Sequence, residues 1–190
     1  MDDASAADEA GWIARAQRGD PSAFAALVRL HQQRVFRFIL RLTGSREEAM
    51  ELTQDSFLKA WQALPGWRPR ARFATWLLQI ARNAALDTLR RRQLVEFAPL
   101  DDGLPLSDPA PGPDELWAGR QRGVVLDRAL RRLPFEQREV LLLREVEELS
   151  YTEIAALIGV AEGTVKSRLA RARAALLALL RHTTGERHEG

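Results

Sequence analysis

The stretch SYTEIAALIGVAEGTVKSRLARARAAL, Ser150 to Leu176, admits few folds. Ser150 is followed three residues later by Glu153, the spacing of a capping box, in which a hydroxyl and a carboxylate satisfy backbone N–H groups at a helix start. A short helix is therefore predicted from Tyr151 to Leu157. Gly159 supplies the positive φ that a tight helix exit requires, and a second helix is expected to begin near Gly163. Small Ala155 lies four residues before Gly159 and β-branched Val165 six after it, so the two helices can cross closely with Val165 between them. The pattern is that of a helix-turn-helix.

On a wheel of the second helix, Val165, Leu169, Ala172 and Leu176 share one stripe. Ser167, Ala170, Arg171 and Ala174 then face outward, with Lys166 at their edge and Arg173 nearer the flank. From Gly163 to Gly185 there is no acidic residue, whereas Lys166, Arg168, Arg171, Arg173 and Arg181 are all present. A small, basic outward face suits a helix lying in a DNA major groove beside phosphates. A solvated basic helix closing a bundle would explain the charge, but not its coincidence with a capping box and a glycine turn.

The chain has 190 residues, room for one large or two small domains, and its 46% hydrophobic content can build compact cores. Its formal charge of +2 says little, because the charge is unevenly distributed. Leu94 to Ala118 holds six acids (Glu96, Asp101, Asp102, Asp108, Asp114 and Glu115) and no Lys or Arg, which leaves the remainder clearly basic. With no cysteine and with His31, His182 and His188 scattered, neither a disulfide framework nor a metal site is expected, and no cofactor is implied. Met1 to Glu9 is acidic and lacks the apolar run of a signal peptide, and no stretch is long enough to span a bilayer; a cytoplasmic protein is expected.

Taken in order, Met1 to Ala10 is expected to be frayed, with a short helix around Gly11 to Arg18 stopping at Gly19. Asp20 caps a new start and Pro21 fits the first helical position; Phe24, Leu27, Val28, Val35, Phe36, Ile39 and Leu42 recur at helical spacing up to Gly44. Ser45 and Glu48 form a second capping-box pattern, opening a helix that carries Leu52, Phe57, Leu58 and Trp61 before Pro65-Gly66. The other face of that helix presents Glu51, Gln54, Asp55 and Lys59. Phe73 to Arg92 reads as one long helix. Five prolines between Pro99 and Pro113 preclude a helix there and predict a linker. Leu116 to Leu130 regains helical spacing, Pro134 fits a first turn, and Phe135 to Glu145 leads into the helix-turn-helix. No strand-like alternation occurs, so the fold class is all-α: two small helical domains joined by a flexible, acidic, Pro-rich linker.

The segment GWRPRARFATWLLQIARNAALDTLRRR carries seven arginines, among them Arg68, Arg70 and Arg72, against one acid, Asp87. Leu77, Ile80, Ala81 and Ala84 form its core stripe, which leaves Gln79, Asn83 and Asp87 outward with Trp76 at their margin. Trp67 and Phe73 add aromatic surface nearby. Rings that can stack, amides that can read base edges and arginines that can hold a backbone suit unstacked bases. Completion of a hydrophobic core is the competing use of Trp76 and Phe73.

Two basic helical modules, one suited to duplex and one to opened strands, resemble a group 4, extracytoplasmic-function sigma factor of bacterial RNA polymerase, in the sigma-70 family. The resemblance runs from about Asp20 to Leu180 and rests on ELTQDSFLKAW, FATWLLQIARNAALDTLRRR, LPFEQREVLLL and the helix-turn-helix, in that order. It implies a σ2 domain over 1–93, a linker over 94–115 passing near the RNA path, a σ4 helix-turn-helix domain over 116–182 and a disordered tail over 183–190. It implies that Glu51, Gln54, Asp55 and Lys59 face the clamp coiled coil of the largest polymerase subunit. It places Trp67, Arg68, Arg70, Arg72, Phe73, Trp76, Gln79, Asn83 and Asp87 at the −10 element. Lys166, Ser167, Ala170 and Arg171, flanked by Arg168 and Arg173, would meet the −35 element, with σ4 on the flap of the second-largest subunit. Core polymerase, promoter DNA and an anti-sigma factor are the implied partners.

No paired carboxylates, nucleophile motif or phosphate-cradling loop is visible, so the chain is read as a non-enzyme with no small-molecule substrate. The alternative is a stand-alone helix-turn-helix repressor or activator acting without polymerase, for which Ser150 to Leu176 alone would suffice.

Overall fold

The computed structural model describes residues 3–95 and 115–185, and among these it contains helices and no strand. The helices are α1 (Asp3–Gln17), α2 (Pro21–Thr43), α3 (Arg46–Ala63), α4 (Phe73–Val95), α5 (Glu115–Arg132), α6 (Phe135–Glu145), α7 (Tyr151–Ile158) and α8 (Glu162–Gly185), with a 3-10 turn at Leu64–Gly66 after α3. Residues 94–95 and 115, expected in the linker, belong to α4 and α5, and 183–185 of the expected tail belong to α8. The rest of the linker and tail lies outside the described residues. Two compact units divide the chain, Met1–Leu40 with Glu47–Phe97, and Arg41–Arg46 with Ala98–Gly190.

In the first unit, α1 is longer than expected: it is helical from Asp3, in an alanine-rich sequence with high helix propensity, where fraying was anticipated through Ala10. Asp20 caps α2 as its position predicts, Oδ1 accepting from the N–H groups of Ser22 and Ala23 at 2.9 and 3.2 Å. Arg15 donates to Asp20 Oδ2 and, as the largest cause, holds the carboxyl below its usual range. Leu27, Phe38, Ile39, Leu64, Leu77 and Leu78 are the large side chains wholly removed from water, and Ala49, Ala60, Ala81 and Ala85 let the backbones approach between them. Phe38 and Leu78 thus join the core, while Val28, Phe36 and Ile80 are only half-buried.

In the second unit, α5, α6 and α7 all pack against α8. Val140, Leu142, Leu143, Ile154, Val165, Leu169 and Ala172 form the buried seam. Pro134 is the N-cap of α6, in an extended conformation, and not the first helical residue. Arg138 of α6 donates to the Arg131 and Leu133 carbonyls at 2.7 and 2.9 Å, closing the end of α5. Burial, reinforced by the neighbouring Arg131, lowers its pKa to about 10.

Candidate nucleic-acid interface

The helix-turn-helix forms as its sequence specifies. Ser150 Oγ accepts from Glu153 N at 3.2 Å, Glu153 Oε2 accepts from Ser150 N at 2.8 Å, and the capping box is complete. Gly159 ends α7 in the left-handed region at φ 74°, its N–H bonded to Ala155 O. Thr152 donates to Glu162 Oε1 at 2.5 Å, tying the first turns of α7 and α8 together. Val165, Leu169 and Ala172 are buried, so the orientation of α8 about its own axis is set.

That orientation sorts the basic residues of α8 into two groups. Lys166, Ser167, Ala170 and Arg171 are exposed on the outward face. Arg171 folds back on Ser167, Nε donating to the Ser167 carbonyl at 3.2 Å and Nη2 to Oγ at 3.3 Å. Lys166 Nζ stands 5.7 Å from the Tyr151 ring centroid, and the Arg144 guanidinium is 5.1 Å from the same centroid. Arg168, by contrast, turns inward: its Nη1 is 3.5 Å from Oε1 of Glu139, a residue with 0% exposure. Arg173 pairs at the surface with Glu145 Oε1 at 2.6 Å, and that bond is the main reason its pKa is raised. Sequence reasoning missed both acidic partners, because they come from α6.

In the first unit, the 3-10 turn delivers Trp67 to the start of the loop that precedes α4. Arg68, Arg70 and Arg72 are exposed along it. Trp67, Phe73 and Trp76 form a triangle of rings, 5.8 Å for Trp67–Phe73 and 5.5 Å for each other pair. Phe73 is 4% exposed and its ring offers no face to a ligand; it is the floor on which the half-buried Trp67 and Trp76 rest. Asn83 and Asp87 are exposed about two and three turns beyond Trp76 along α4, and Gln79 is half-buried. Asn83 Oδ1 accepts from Arg82 Nη1 at 3.2 Å.

A third surface lies on α3. Glu51, Gln54, Asp55 and Lys59 are exposed on one side, while Ala49, Leu52, Ser56, Phe57 and Ala60 are buried on the other. Next to it, Pro21, Phe24, Phe57, Leu58 and Trp61 line a shallow apolar groove. Among the described residues no cluster of His, Asp or Glu could hold a metal ion, and no helix is long and apolar enough to cross a membrane.

The two units correspond to two known sequence families. Residues 27–95 match the family described as Sigma-70 region 2, and residues 124–176 match Sigma-70, region 4. The ECF RNA polymerase sigma factor SigM of Mycobacterium tuberculosis is 38% identical over 162 residues, which cover 85% of this chain and 79% of SigM. SigE of Mycolicibacterium smegmatis is also 38% identical, over 161 residues that cover 82% of this chain but only 62% of SigE. Among solved structures, the sigma factor RpoE of Bartonella quintana, in complex with the anti-sigma factor NepR, superposes with a TM-score of 0.68 at 28% identity, covering 83% of this chain and 96% of RpoE.

Proposed function

We propose, from the premise that this chain belongs to the extracytoplasmic-function sigma factors of RNA polymerase, that it binds core polymerase and directs promoter-specific initiation. Its second unit reads the −35 duplex, and its first unit melts and reads the −10 element. The carrying observation is the coexistence of two unlike surfaces in one chain. One is the small, basic outward face of α8; the other is the Trp67–Trp76 pair beside exposed arginines, Asn83 and Asp87. A stand-alone regulator needs only the first, and would leave the second surface and the region 2 match without a role.

Exposure and side-chain chemistry support the following roles. Lys166, Ser167, Ala170 and Arg171 meet base edges and phosphates in the major groove, where small Ser167 and Ala170 allow close approach. Arg173 reaches phosphate only by leaving Glu145, and Arg168 supports the fold. Trp67 and Trp76 offer ring surface to an unstacked base, Gln79, Asn83 and Asp87 offer edge contacts, and Arg68, Arg70 and Arg72 hold the backbone. Phe73 positions both rings. Glu51, Gln54, Asp55 and Lys59 dock on the polymerase clamp. Bond-making chemistry belongs to the polymerase, the cytoplasm is the place of action, and an anti-sigma factor is the partner that the RpoE–NepR complex suggests.

Melting distinguishes this function from duplex binding. A captured base regains in stacking and edge contacts the few kcal/mol spent on unstacking it, so strands can be held apart without nucleotide hydrolysis. With core polymerase present, thymines around the −10 element are expected to become permanganate-reactive. Asn83→Ala retains core binding and −35 occupancy but lowers that reactivity, whereas Asp55→Ala weakens attachment to core. A wild-type protein that melts no bound promoter would return the stand-alone regulator to the front.

A further inference from the structure

None of the described side chains of α1 belongs to the surfaces above, yet this helix holds the backbone from which one of them is built. Gln17, the last residue of α1, directs Nε2 at two carbonyl oxygens at the two ends of the 3-10 turn, Leu64 O at 3.3 Å and Trp67 O at 3.0 Å. A primary amide nitrogen carries two hydrogens, so both can be used, and two acceptors on one side fix which way the amide points. Leu64 is wholly buried and serves as the anchor. Trp67 is the residue to be placed, where the chain leaves the turn in an extended conformation. The turn's own bond from Trp67 N–H to Leu64 O at 3.1 Å, Arg68 Nη1 on Trp67 O at 3.3 Å and Arg70 N–H on Arg68 O at 2.8 Å also hold this stretch, but all three come from within it, and Gln17 is the tie from another helix.

A second link from the same helix reaches the same rings from below. Glu9 Oε1 lies 2.9 Å from His31 Nε2. His31, buried in α2, packs against Phe73 at 5.5 Å, and Phe73 touches both Trp67 and Trp76. Helix α1 therefore meets the aromatic triangle twice, once through the Trp67 backbone and once through its floor.

We propose that Gln17 is a positioning residue for base capture: by fixing the Trp67 carbonyl it sets the Trp67 ring against Trp76 in the arrangement that receives an unstacked base, with the Glu9–His31 pair supporting Phe73 beneath. The inference rests on the reading of Trp67 to Asp87 as the surface that opens the −10 element. It extends that surface to a helix with no described side chain on it. Pre-set geometry matters here because a loop ordered only on contact with the base would spend part of the capture energy on its own ordering.

Two variants of the full-length protein test it. Gln17→Met keeps side-chain length and helix propensity but has no donor; Gln17→Glu is isosteric and turns a carboxylate toward two carbonyls. With core polymerase, permanganate reactivity at the −10 thymines is expected to fall about fivefold in Gln17→Met, the scale of one net hydrogen bond, and further in Gln17→Glu. Core affinity and −35 duplex binding remain as in wild type. In the free protein, Trp67 and Trp76 are 5.5 Å apart, close enough that the two indoles are expected to couple in far-ultraviolet circular dichroism, a signal to be identified by its loss in Trp67→Phe. That couplet is expected to weaken in both folded Gln17 variants, whereas a merely structural role would lower the melting temperature and leave it intact. Normal melting by both Gln17 variants alongside impaired melting by Asn83→Ala overturns the positioning role and leaves the reading of the surface standing. Normal melting by Asn83→Ala and Trp76→Ala as well overturns that reading and the inference with it. An unchanged couplet in the folded variants overturns the inference alone.

Discussion

The imidazole of His31 is pulled two ways by its surroundings. Burial pushes its pKa below the usual 6.5 and Arg34 adds to that effect, while the hydrogen bond and charge of Glu9 pull it back up; burial prevails. At neutral pH the ring is therefore uncharged and donates from Nε2 to the Glu9 carboxylate. Because the folded pKa lies below the unfolded one, the unfolded chain takes up the proton first as pH falls. The stabilisation is complete above the unfolded value of 6.5 and is lost progressively as pH drops below it toward the folded value. Thermal stability of the wild type is thus expected to fall as pH drops below about 6.5, and less steeply in His31→Gln. Glu9→Gln removes an upward pull, so the folded pKa falls further and the loss at low pH deepens. An equal slope in wild type and His31→Gln would assign the pH dependence to other groups.

Helix α8 shows how one element gives identical residue types different tasks. Its arginines look alike in sequence, but Arg171 is held on the outward face by Ser167, Arg173 lies at the rim with Glu145, and Arg168 faces buried Glu139. Arg171→Ala is expected to reduce discrimination between matched and scrambled −35 duplexes, by roughly 1–3 kcal/mol if it contacts guanine with both nitrogens. Arg173→Ala weakens all duplexes about equally. Arg168→Ala acts on stability instead, because part of the compensation for a buried carboxylate disappears with it, and it lowers the denaturation midpoint while leaving sequence preference unchanged. Duplex titrations of the three variants, paired with denaturant melts, check the assignment; equal losses on both duplexes for Arg171→Ala would remove it from base reading. The same helix marks the boundary of what sequence can reveal. The Ser150–Glu153 box, the Gly159 exit and the Val165–Leu169–Ala172 stripe were legible because each depends on neighbours within a few residues. The Glu139 and Glu145 partners were not, because those contacts span 29 and 28 residues. For Phe73 the sequence leaves stacking and core completion both open, and packing against His31 and the two tryptophans decides for the floor beneath them. Glu148 adopts φ 57° between α6 and α7 with no glycine to announce the turn.

Across the whole molecule, two surfaces must act on one promoter, and the segment joining their helices carries Glu96, Asp101, Asp102, Asp108 and Asp114 with no compensating cation. Were it only a tether, its length would be its one relevant property, and length is a weak lever: doubling a flexible connection costs about 0.6 kcal/mol, less than a threefold loss of joint occupancy. Charge is a separate variable. The walls of a polymerase that hold nucleic acid are basic, and a segment with five acids is complementary to them, so its charge can matter to initiation apart from its length. The two variables can be changed independently. Inserting a neutral Gly/Ser stretch of equal length tests the tether, and converting the five acids to Asn and Gln at constant length tests the charge. In an initiation assay with core polymerase, the charge-neutral variant is expected to lose open-complex formation or early RNA synthesis by a larger factor than the lengthened one. Core affinity and the folding of each unit stay unchanged. Equal, small losses from both changes would make the segment a spacer and nothing more.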